Sequence, residues 1–233
     1  MPKPVCVVVG VGPGTGAAIA RRFATAEHAI ALLARTTETS AQLARELPDA
    51  RAYACDVTDA ASVATAFAAI ERDQGPITVV AYNAGSGVWG SVEVITPAAF
   101  EAAFRINALG LLHVSQAVIP GMTARGAGAI VITGATASRR GGAKTAAFAP
   151  AKAAQRSLAE SMARHLWPKG VHVALVVVDG VIDLARTRAS MPDKPDSFFV
   201  RPADLAETVY HLATQPRSAW SFEVEARPFG ETW

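Results

Sequence analysis

The sequence predicts an α/β fold in which one doubly wound, parallel sheet of about seven strands carries helices on both faces. Short apolar segments rich in β-branched residues alternate with longer helical patterns over nearly the whole chain. Several of these short segments are continuous apolar runs, which is typical of strands buried on both faces. Repeated strand–helix alternation requires crossover connections, and such connections place successive strands parallel in one sheet.

Seven segments have the length and apolar composition of strands. They comprise residues 5–9, 29–33, 51–55, 78–83, 129–133, 172–178 and 221–226. The apolar runs, such as residues 173–178, are far too short to span a bilayer. We therefore expect buried strands and no membrane-spanning segment.

The helices between these strands begin at recognisable start signals. Thr58 is a candidate N-cap for a helix that begins at Asp59. Thr96 followed by Pro97 combines a capping hydroxyl with a proline in the first helical turn. Both signals predict where a helix starts after an extended segment.

The last third of the chain continues the same alternation. A helix is predicted over residues 150–166, and another opens at Pro202 and runs toward residue 214. Residues 183–200 form the longest irregular segment, which we interpret as a mobile lid or loop rather than a domain boundary. Because no linker or internal repeat interrupts the pattern, we expect residues 1–233 to form one domain.

The charge balance limits the classes of partner. Lysine and arginine exceed the acidic residues by only two, and no long basic block occurs. This excludes the charge pattern of a nucleic-acid-binding protein and leaves small molecules or other protein chains as partners. The N-terminal residues lack the pattern of a signal peptide, so we expect a cytoplasmic protein that does not associate with a membrane.

The two cysteines, Cys6 and Cys55, predict neither a metal site nor a disulfide. The sequence has no CxxC motif and no His/Cys cluster, so no metal site is expected. In the predicted sheet the two residues lie on strands that a third strand separates, roughly 9–10 Å apart, whereas a disulfide needs Cα atoms within about 7 Å. We expect two buried free thiols.

A glycine-rich loop joins the first predicted strand to the first predicted helix. Its glycines allow positive φ angles and close approach of the backbone, and the helix that follows offers free N–H groups to an anion. A glycine- and proline-rich turn without a ligand is the alternative interpretation. The position of the loop at the start of a strand–helix unit favours a nucleotide-binding loop, made of Gly10, Gly12, Gly14, Thr15 and Gly16.

The spacing Gly10-x-x-x-Gly14-x-Gly16 resembles that of the short-chain dehydrogenase/reductase family. Cys55-Asp56-Val57 and Asn83-Ala84-Gly85 are similar to two further motifs of this family, in the same order along the chain. The resemblance implies a single Rossmann-type domain that binds a dinucleotide. It also implies that Asp56 meets the adenine and that Asn83-Ala84-Gly85 lines the adenine ribose.

The residues after the second strand favour NADP(H) over NAD(H). NAD-dependent proteins of this fold usually carry an acid here that binds the ribose 2′-hydroxyl. In this sequence Ala34 removes that carboxylate, and Arg35 supplies a cation suited to a 2′-phosphate. Thr36 adds a hydroxyl beside it. A surface arginine after a strand is common, and the missing acid strengthens the interpretation.

The resemblance implies four catalytic positions, and the sequence matches two of them. Asn107 matches the helix asparagine, and Lys152 matches the lysine that grips the nicotinamide ribose. Phe148 stands where the family carries its acid/base tyrosine, and Ala135 stands at the serine position. Phenylalanine has no ionisable proton, and a positioned acid or base contributes a factor of about 10²–10⁴ in rate. Ordinary carbonyl reduction should therefore be badly impaired.

A nearby hydroxyl is a candidate substitute for the missing ones. Thr136, Thr133 and Ser138 lie close to Ala135 in the sequence, and Thr136 is the candidate included with the catalytic positions. These departures resemble a divergent branch of the family with phenylalanine in place of the tyrosine. The site is therefore predicted to be atypical.

After the sixth strand the family usually has Pro-Gly, whereas this sequence has Asp179-Gly180, with Leu184 where a threonine often contacts the carboxamide. Asp179 is either an acid near the reactive end of the cofactor or a turn residue before a glycine. The complete set of predicted cofactor-binding residues is Gly10, Gly12, Gly14, Thr15, Gly16, Arg35, Thr36, Asp56, Val57, Asn83, Ala84, Gly85, Lys152, Asp179, Gly180 and Ile182.

Two functions are compatible with these residues. One is an NADP(H)-dependent oxidoreductase whose proton donor is water, Thr136 or the substrate itself, and the other is a catalytically silent NADP(H)-binding sensor or partner subunit. A basic loop over residues 138–144 and a set of apolar side chains that includes Trp89 could face a small-molecule substrate or ligand. The family resemblance implies a homodimer or homotetramer that pairs the helices around residues 100–123 and 150–166 between subunits. The aromatic residues 222–233 are a candidate for a second contact.

Overall fold

A computed structural model describes residues 2–230 and contains the predicted parallel sheet. Its seven strands lie in the order β3-β2-β1-β4-β5-β6-β9, and every neighbouring pair is parallel. The strands are β1 (Val5–Val9), β2 (Ala29–Ala34), β3 (Ala50–Ala54), β4 (Ile77–Tyr82), β5 (Gly128–Thr133), β6 (Val171–Val178) and β9 (Glu223–Ala226). The predicted doubly wound α/β fold is confirmed. Met1 and residues 231–233, part of the predicted C-terminal contact, lie outside the described residues.

Helices cover both faces of this sheet. They are α1 (Thr15–Thr25), α2 (Glu38–Glu46), α3 (Ala60–Gln74), α4 (Pro97–Phe104), α5 (Gly110–Arg125), α6 (Phe148–Leu166), α7 (Ala185–Ser190) and α8 (Pro202–Ala213). Helices α3, α5 and α6 contribute to the core on one face, and α1, α2 and α8 contribute to the core on the other. Successive residues of β1 alternate between the two cores, which explains its uninterrupted apolar sequence.

The strand order reverses direction beside β1. The chain moves outward from β1 to β2 and β3, then returns to β4 on the other side of β1. At such a switch point the loops after β1 and β4 diverge and leave a crevice at the carboxyl ends of the strands, where α/β proteins of this kind bind ligands. The glycine-rich loop and Asn83-Ala84-Gly85 both lie at this edge.

Of the two predicted helix caps, that of α3 differs from the prediction and that of α4 agrees with it. Asp59, not Thr58, is the N-cap of α3, since its carboxylate accepts the Ala61 N–H at 2.9 Å. Thr58 donates to Asp56 instead. The Thr96 cap of α4 is confirmed by its bond from the Ala99 N–H at 3.2 Å.

The sequence predicts an irregular segment at residues 183–200, and this prediction is wrong in part. They contain α7 and β8 (Phe199–Val200), which pairs in parallel with β7 (Val181–Ile182). Arg188 binds Asp183 through two hydrogen bonds, at 2.7 and 2.9 Å, and Asp196 at 2.6 Å. Ion pairs between neighbouring turns therefore fold this lid segment back on itself.

Both cysteines are free and buried, as predicted. Cys6 lies on β1, and Cys55 follows β3, with β2 between the two strands. Burial raises the pKa of both thiols, that of Cys55 to about 11. The thiolate forms are therefore scarce near neutral pH.

The helix between β4 and β5 changes its winding at Asn107. Residues Arg105–Leu109 form a π-helical turn between α4 and α5. Tyr82, fully buried at the end of β4, donates from its hydroxyl to the Ile106 carbonyl at 2.6 Å. This bond fixes the π-helical turn against the sheet, beside the switch point.

The combined helix Pro97–Arg125 has the length and apolar composition of a membrane-crossing helix. Its α5 half supplies Leu111, Val114 and Met122 to the core, where all three are fully buried. Packing against the sheet therefore accounts for the apolar character of this half.

Replacement of the fully buried Tyr82 by Phe should lower the free energy of unfolding by about 1–3 kcal/mol, because it leaves the Ile106 carbonyl without its side-chain donor. Tyr53→Phe is the matched control, since the Tyr53 hydroxyl is only partly buried and its contacts with Asp73 and Gln74 are long, at 3.4 and 3.5 Å. Urea denaturation measures both changes. Equal losses in the two variants would contradict a specific role for the Tyr82 hydroxyl.

Candidate functional site

The glycine-rich loop packs tightly against the residues that follow β4. Gly10 has a φ angle of +89°, and a Cβ built there would lie 2.5 Å from the backbone of Ala84. A Cβ on Gly16 would lie 2.6 Å from the Gly10 carbonyl oxygen. Asn83 donates from its side-chain amide to that same oxygen at 2.9 Å. Glycine is therefore required at both positions, and Asn83 holds the loop in place.

The outer part of the loop is more open. A Cβ on Gly12 would meet no atom within 4 Å, and Gly14 caps α1 without any side-chain hydrogen bond. Thr15, the first residue of α1, is buried. The first-turn amides of this 11-residue helix therefore have no side-chain acceptor from the N-cap, which suits an anionic group.

The lid segment contacts the same loop. The position of a Cβ on Gly14 lies 2.2 Å from Leu184 Cδ2, so the Leu184 side chain rests directly on the glycine. Leu184 stands just before α7, where Thr187 bonds both its backbone N–H and the Ile182 carbonyl. The lid is thus attached at Ile182 and reaches over the N-terminus of α1.

The residues predicted to meet the adenosine end lie beside one another. Arg35 and Thr36 are exposed at the end of β2. Asp56 accepts hydrogen bonds from the backbone and hydroxyl of Thr58, at 2.9 and 2.8 Å, and these bonds with the Arg35 charge lower its pKa. Val57 is buried. Within the part of the chain that the structure describes, no ion pair engages Arg35, so its guanidinium is available to a ligand.

A buried polar network joins Asn107 to Lys152. Lys152 donates to the Thr133 carbonyl at 3.0 Å and to the Gln155 amide oxygen at 2.9 Å. Gln155 donates in turn to the Asn107 carbonyl at 2.9 Å. The Asn107 side chain donates to Ala103 and Ser86 carbonyls, while its Oδ1 atom is buried without a partner. Both matched catalytic positions therefore belong to one hydrogen-bonded unit.

This network faces Gly85 at the switch point. A Cβ on Gly85 would lie 3.4 Å from Asn107 Oδ1 and 3.7 Å from Lys152 Nζ. Burial lowers the pKa of Lys152 to about 8. The ammonium donates two of its three N–H groups to the Thr133 carbonyl and the Gln155 amide oxygen. One donor and one unpaired acceptor are thus left near the space beside Gly85.

Phe148, at the tyrosine position of the family, packs against a second aromatic ring, that of Trp89. Phe148 begins α6, two residues earlier than predicted for this helix. Its ring centroid lies 5.3 Å from that of Trp89, which is 64% exposed, and 6.0 Å from Lys152 Nζ. The ring that faces the Lys152 ammonium is therefore a phenyl and not a phenol.

The other predicted catalytic positions lie in a separate cluster. Ala135 has extended backbone angles and offers no side-chain hydroxyl. Thr136 bonds through its hydroxyl to the Val178 carbonyl and to Asp179. Asp179 is buried and forms an ion pair with Arg227. The Thr136 hydroxyl is thus bound to residues at the end of β6, and the Asp179 charge is balanced by a residue that follows β9.

The sequence suggests that the basic loop over residues 138–144 faces a ligand, but one of its arginines is bound to acidic residues of β9. Arg139 binds Glu223 and Glu225 of β9. Arg140 and Lys144 are exposed. A cavity of about 730 Å³ lies between the end of the lid, the first turns of α8 and residues 225–229, and its lining includes none of the predicted cofactor or catalytic residues. Gly180, by contrast, packs against Pro228 at one edge of this region.

Sequence reasoning missed two residues of the site. Gln155 connects the two matched catalytic positions, and Tyr82 fixes the turn that carries Asn107. The available signal for Gln155 was its position three residues after Lys152, on the same face of α6. Nothing in the local sequence identifies its partner, because the Asn107 carbonyl is 48 residues away.

The fold and site define a dinucleotide-binding α/β protein, and comparison with known proteins gives its family. The family model described as short chain dehydrogenase matches residues 4–194. The 3-oxoacyl-acyl-carrier-protein reductase MabA of Mycobacterium tuberculosis is 31% identical over 91% of this chain and 86% of its own length. The chain belongs to the short-chain dehydrogenase/reductase family, as the motifs had indicated.

Two further proteins bear on the site. An inactive 2-(S)-hydroxypropyl-CoM dehydrogenase 2 of Xanthobacter autotrophicus is 34% identical over 83% of this chain and 90% of that protein. A metagenomic short-chain oxidoreductase solved in complex with NADP is 28% identical, with a TM-score of 0.85, and the match covers 99% of each chain. The family thus includes both an NADP complex and a protein described as inactive.

Removal of the buried charge should change how stability depends on pH. The folded-state pKa of Lys152, about 8, lies below its ordinary value of 10.5. Burial of the ammonium therefore destabilises the folded state fully below the folded-state pKa, and this destabilisation disappears as pH rises toward the ordinary value. The free energy of unfolding should rise by roughly 3 kcal/mol over this range. Lys152→Met lacks this gain.

Urea denaturation of both proteins at several pH values between about 7 and 11 measures this difference. The unfolding free energy of the wild-type protein should rise relative to that of Lys152→Met across this range. A constant difference would mean that Lys152 is not charged and buried as described.

Proposed function

We propose that the protein is an NADP(H)-dependent oxidoreductase with an atypical active site. The observation that carries the proposal is the buried Lys152–Gln155–Asn107 network that faces Gly85 at the switch point. A buried ammonium is costly unless a role retains it. We propose that Lys152 is retained to bind the ribose of a nicotinamide nucleotide.

The residues at the crevice fit NADP(H). Gly10 and Gly16 allow the loop to approach β4, and the N-terminus of α1 offers its amides to the pyrophosphate. Arg35, exposed and without an ion-pair partner among the described residues, is proposed to bind the 2′-phosphate. Asp56, Val57 and residues 83–85 are proposed to line the adenosine, and residues 179–182 the nicotinamide end.

The proposed chemistry depends on what the cofactor and the chain each contribute. When bound, NADPH supplies a hydride to a substrate carbonyl or a similar acceptor. Lys152 orients the ribose through its free N–H, and Asn107 fixes the helix that faces it. Since Phe148 and Ala135 carry no exchangeable proton, the proton that completes the reduction is proposed to come from water or from the substrate itself.

A second candidate function is a catalytically silent NADP(H)-binding sensor or partner subunit. The absence of a hydroxyl at both Phe148 and Ala135 favours it, and the relative described as inactive is a precedent within the family. In this function the network would serve binding alone. Wild-type turnover distinguishes the two candidates, because only the enzyme consumes NADPH in the presence of a substrate.

The setting of the protein is proposed to be that of its family. Residues 1–233 form one domain that acts in the cytoplasm on a small molecule. A homodimer or homotetramer is proposed, with α4 and α5 as one contact. Phe100 and Phe104, one turn apart on α4, are 42% and 43% exposed, which supports a contact on this face.

Fluorescence titration with NADPH and NADH tests the cofactor. Binding should favour NADPH, and Arg35→Ala should weaken NADPH binding by about tenfold to hundredfold with little effect on NADH, because a charge-assisted contact is lost. Arg45→Ala is the matched control, since Arg45 is also exposed on the neighbouring helix α2. Binding of neither nucleotide by the wild-type protein would eliminate the proposed function.

Restoring the two hydroxyls tests the chemistry. Phe148→Tyr combined with Ala135→Ser should raise NADPH-dependent reduction of a carbonyl panel by about 10²-fold or more, since a positioned acid contributes about 10²–10⁴. Ala68→Ser, which adds a hydroxyl at an exposed position on α3, is the control and should leave the rate unchanged. Steady-state absorbance of NADPH measures the rates. No gain in a folded double variant that still binds NADPH would contradict the assignment of these positions.

A further inference from the structure

Two side chains from neighbouring elements take up the carbonyls of the π-helical turn. Tyr82 of β4 donates to the Ile106 carbonyl, and Gln155 of α6 donates to the next carbonyl, that of Asn107. Both donors are fully buried. A π-helical turn displaces carbonyls from the regular helical ladder, and such turns are frequent at functional sites. Here the displaced groups become acceptors for the site.

Gln155 uses both ends of its amide in this arrangement. Its oxygen accepts from the Lys152 ammonium at 2.9 Å, and its nitrogen donates to the Asn107 carbonyl at 2.9 Å. The side chain therefore fills the interval between the ammonium and the carbonyl. A water molecule that bridged these two groups would need the same space.

We propose that Gln155 is a positioning residue that holds the Lys152 ammonium and the Asn107 main chain as one unit and closes the interval between them to water. The inference rests on the proposed function only for the reason why Lys152 must be positioned. The hydrogen bonds themselves join groups of this chain alone. An amide in this place orients the ammonium toward Gly85. It offers no group that takes up and releases a proton.

The neutral surroundings make Lys152 sensitive to this one acceptor. The groups in contact with the ammonium are the Thr133 carbonyl of β5 and the Gln155 amide of its own helix. From the other packed elements, the neutral Asn107 side chain and the Phe148 ring face it. Burial is the sole cause of its lowered pKa, and no charged group contributes. A change at residue 155 should therefore alter the titration of Lys152 directly.

The test is an NMR titration of the ligand-free protein labelled with ¹³C at the lysine ε-carbons, with Lys152→Met to assign the resonance. Gln155→Leu removes the acceptor and should lower the titration midpoint of Lys152 by about one unit or more. Gln155→Glu places a carboxylate beside the ammonium and should raise the midpoint by a similar amount. Gln42→Glu, on exposed α2, controls for the added charge and should leave it unchanged.

Opposite shifts in the two variants support the proposal, because loss of packing alone would not move the midpoint in two directions. Unchanged midpoints in folded variants would overturn it. If Gln155→Leu fails to fold, Gln155→Glu and the near-isosteric Gln155→Met provide the two directions. Since the titration uses no nucleotide, its outcome is separate from that of the NADPH binding experiment, and either proposal can fail alone.

Discussion

The buried ammonium of Lys152, held by neutral groups alone, is the constraint on which the site depends. An ammonium in the interior without a counter-charge needs hydrogen-bond acceptors at fixed positions. The sheet provides one at the end of β5, and Gln155 provides another. Gln155 can do so only if its own nitrogen has an acceptor, which the Asn107 carbonyl supplies. The π-helical turn, its Tyr82 contact and the charge on Lys152 are thus parts of one arrangement.

The departures from the family pattern are consistent with this arrangement. Phe148 places an apolar ring, itself packed on Trp89, 6.0 Å from the ammonium, and Ala135 removes the other hydroxyl. Thr136 and Asp179, two of the polar residues nearby, are already engaged, since Thr136 binds Asp179 and Asp179 binds Arg227. The Asp179 side chain therefore joins β6 to the segment after β9. That explains an acid after β6 without a catalytic role.

The sheet was predictable from sequence because both its faces are buried, so β1, β4 and β6 are almost continuously apolar. The glycine-rich loop and Asn83 were predictable because their spacing reflects local backbone geometry. Details set by distant partners were not. The lid segment shows no regular pattern in its sequence, because its structure depends on the ion pairs of Arg188 with Asp183 and Asp196. The role of Gln155 could not be predicted either, because its acceptor, the Asn107 carbonyl, lies 48 residues away in the sequence.

The groups left unpaired define what the site can recognise. The network leaves one N–H of Lys152 and the Oδ1 atom of Asn107, and both lie close to Gly85. A hydroxyl can accept from the first and donate to the second, whereas a carbonyl oxygen can only accept. Since a buried unpaired acceptor is costly, a hydroxyl-bearing ligand gains from satisfying it. The interior face of this crevice is therefore better suited to holding a sugar hydroxyl than a carbonyl oxygen, which agrees with the proposed role of Lys152.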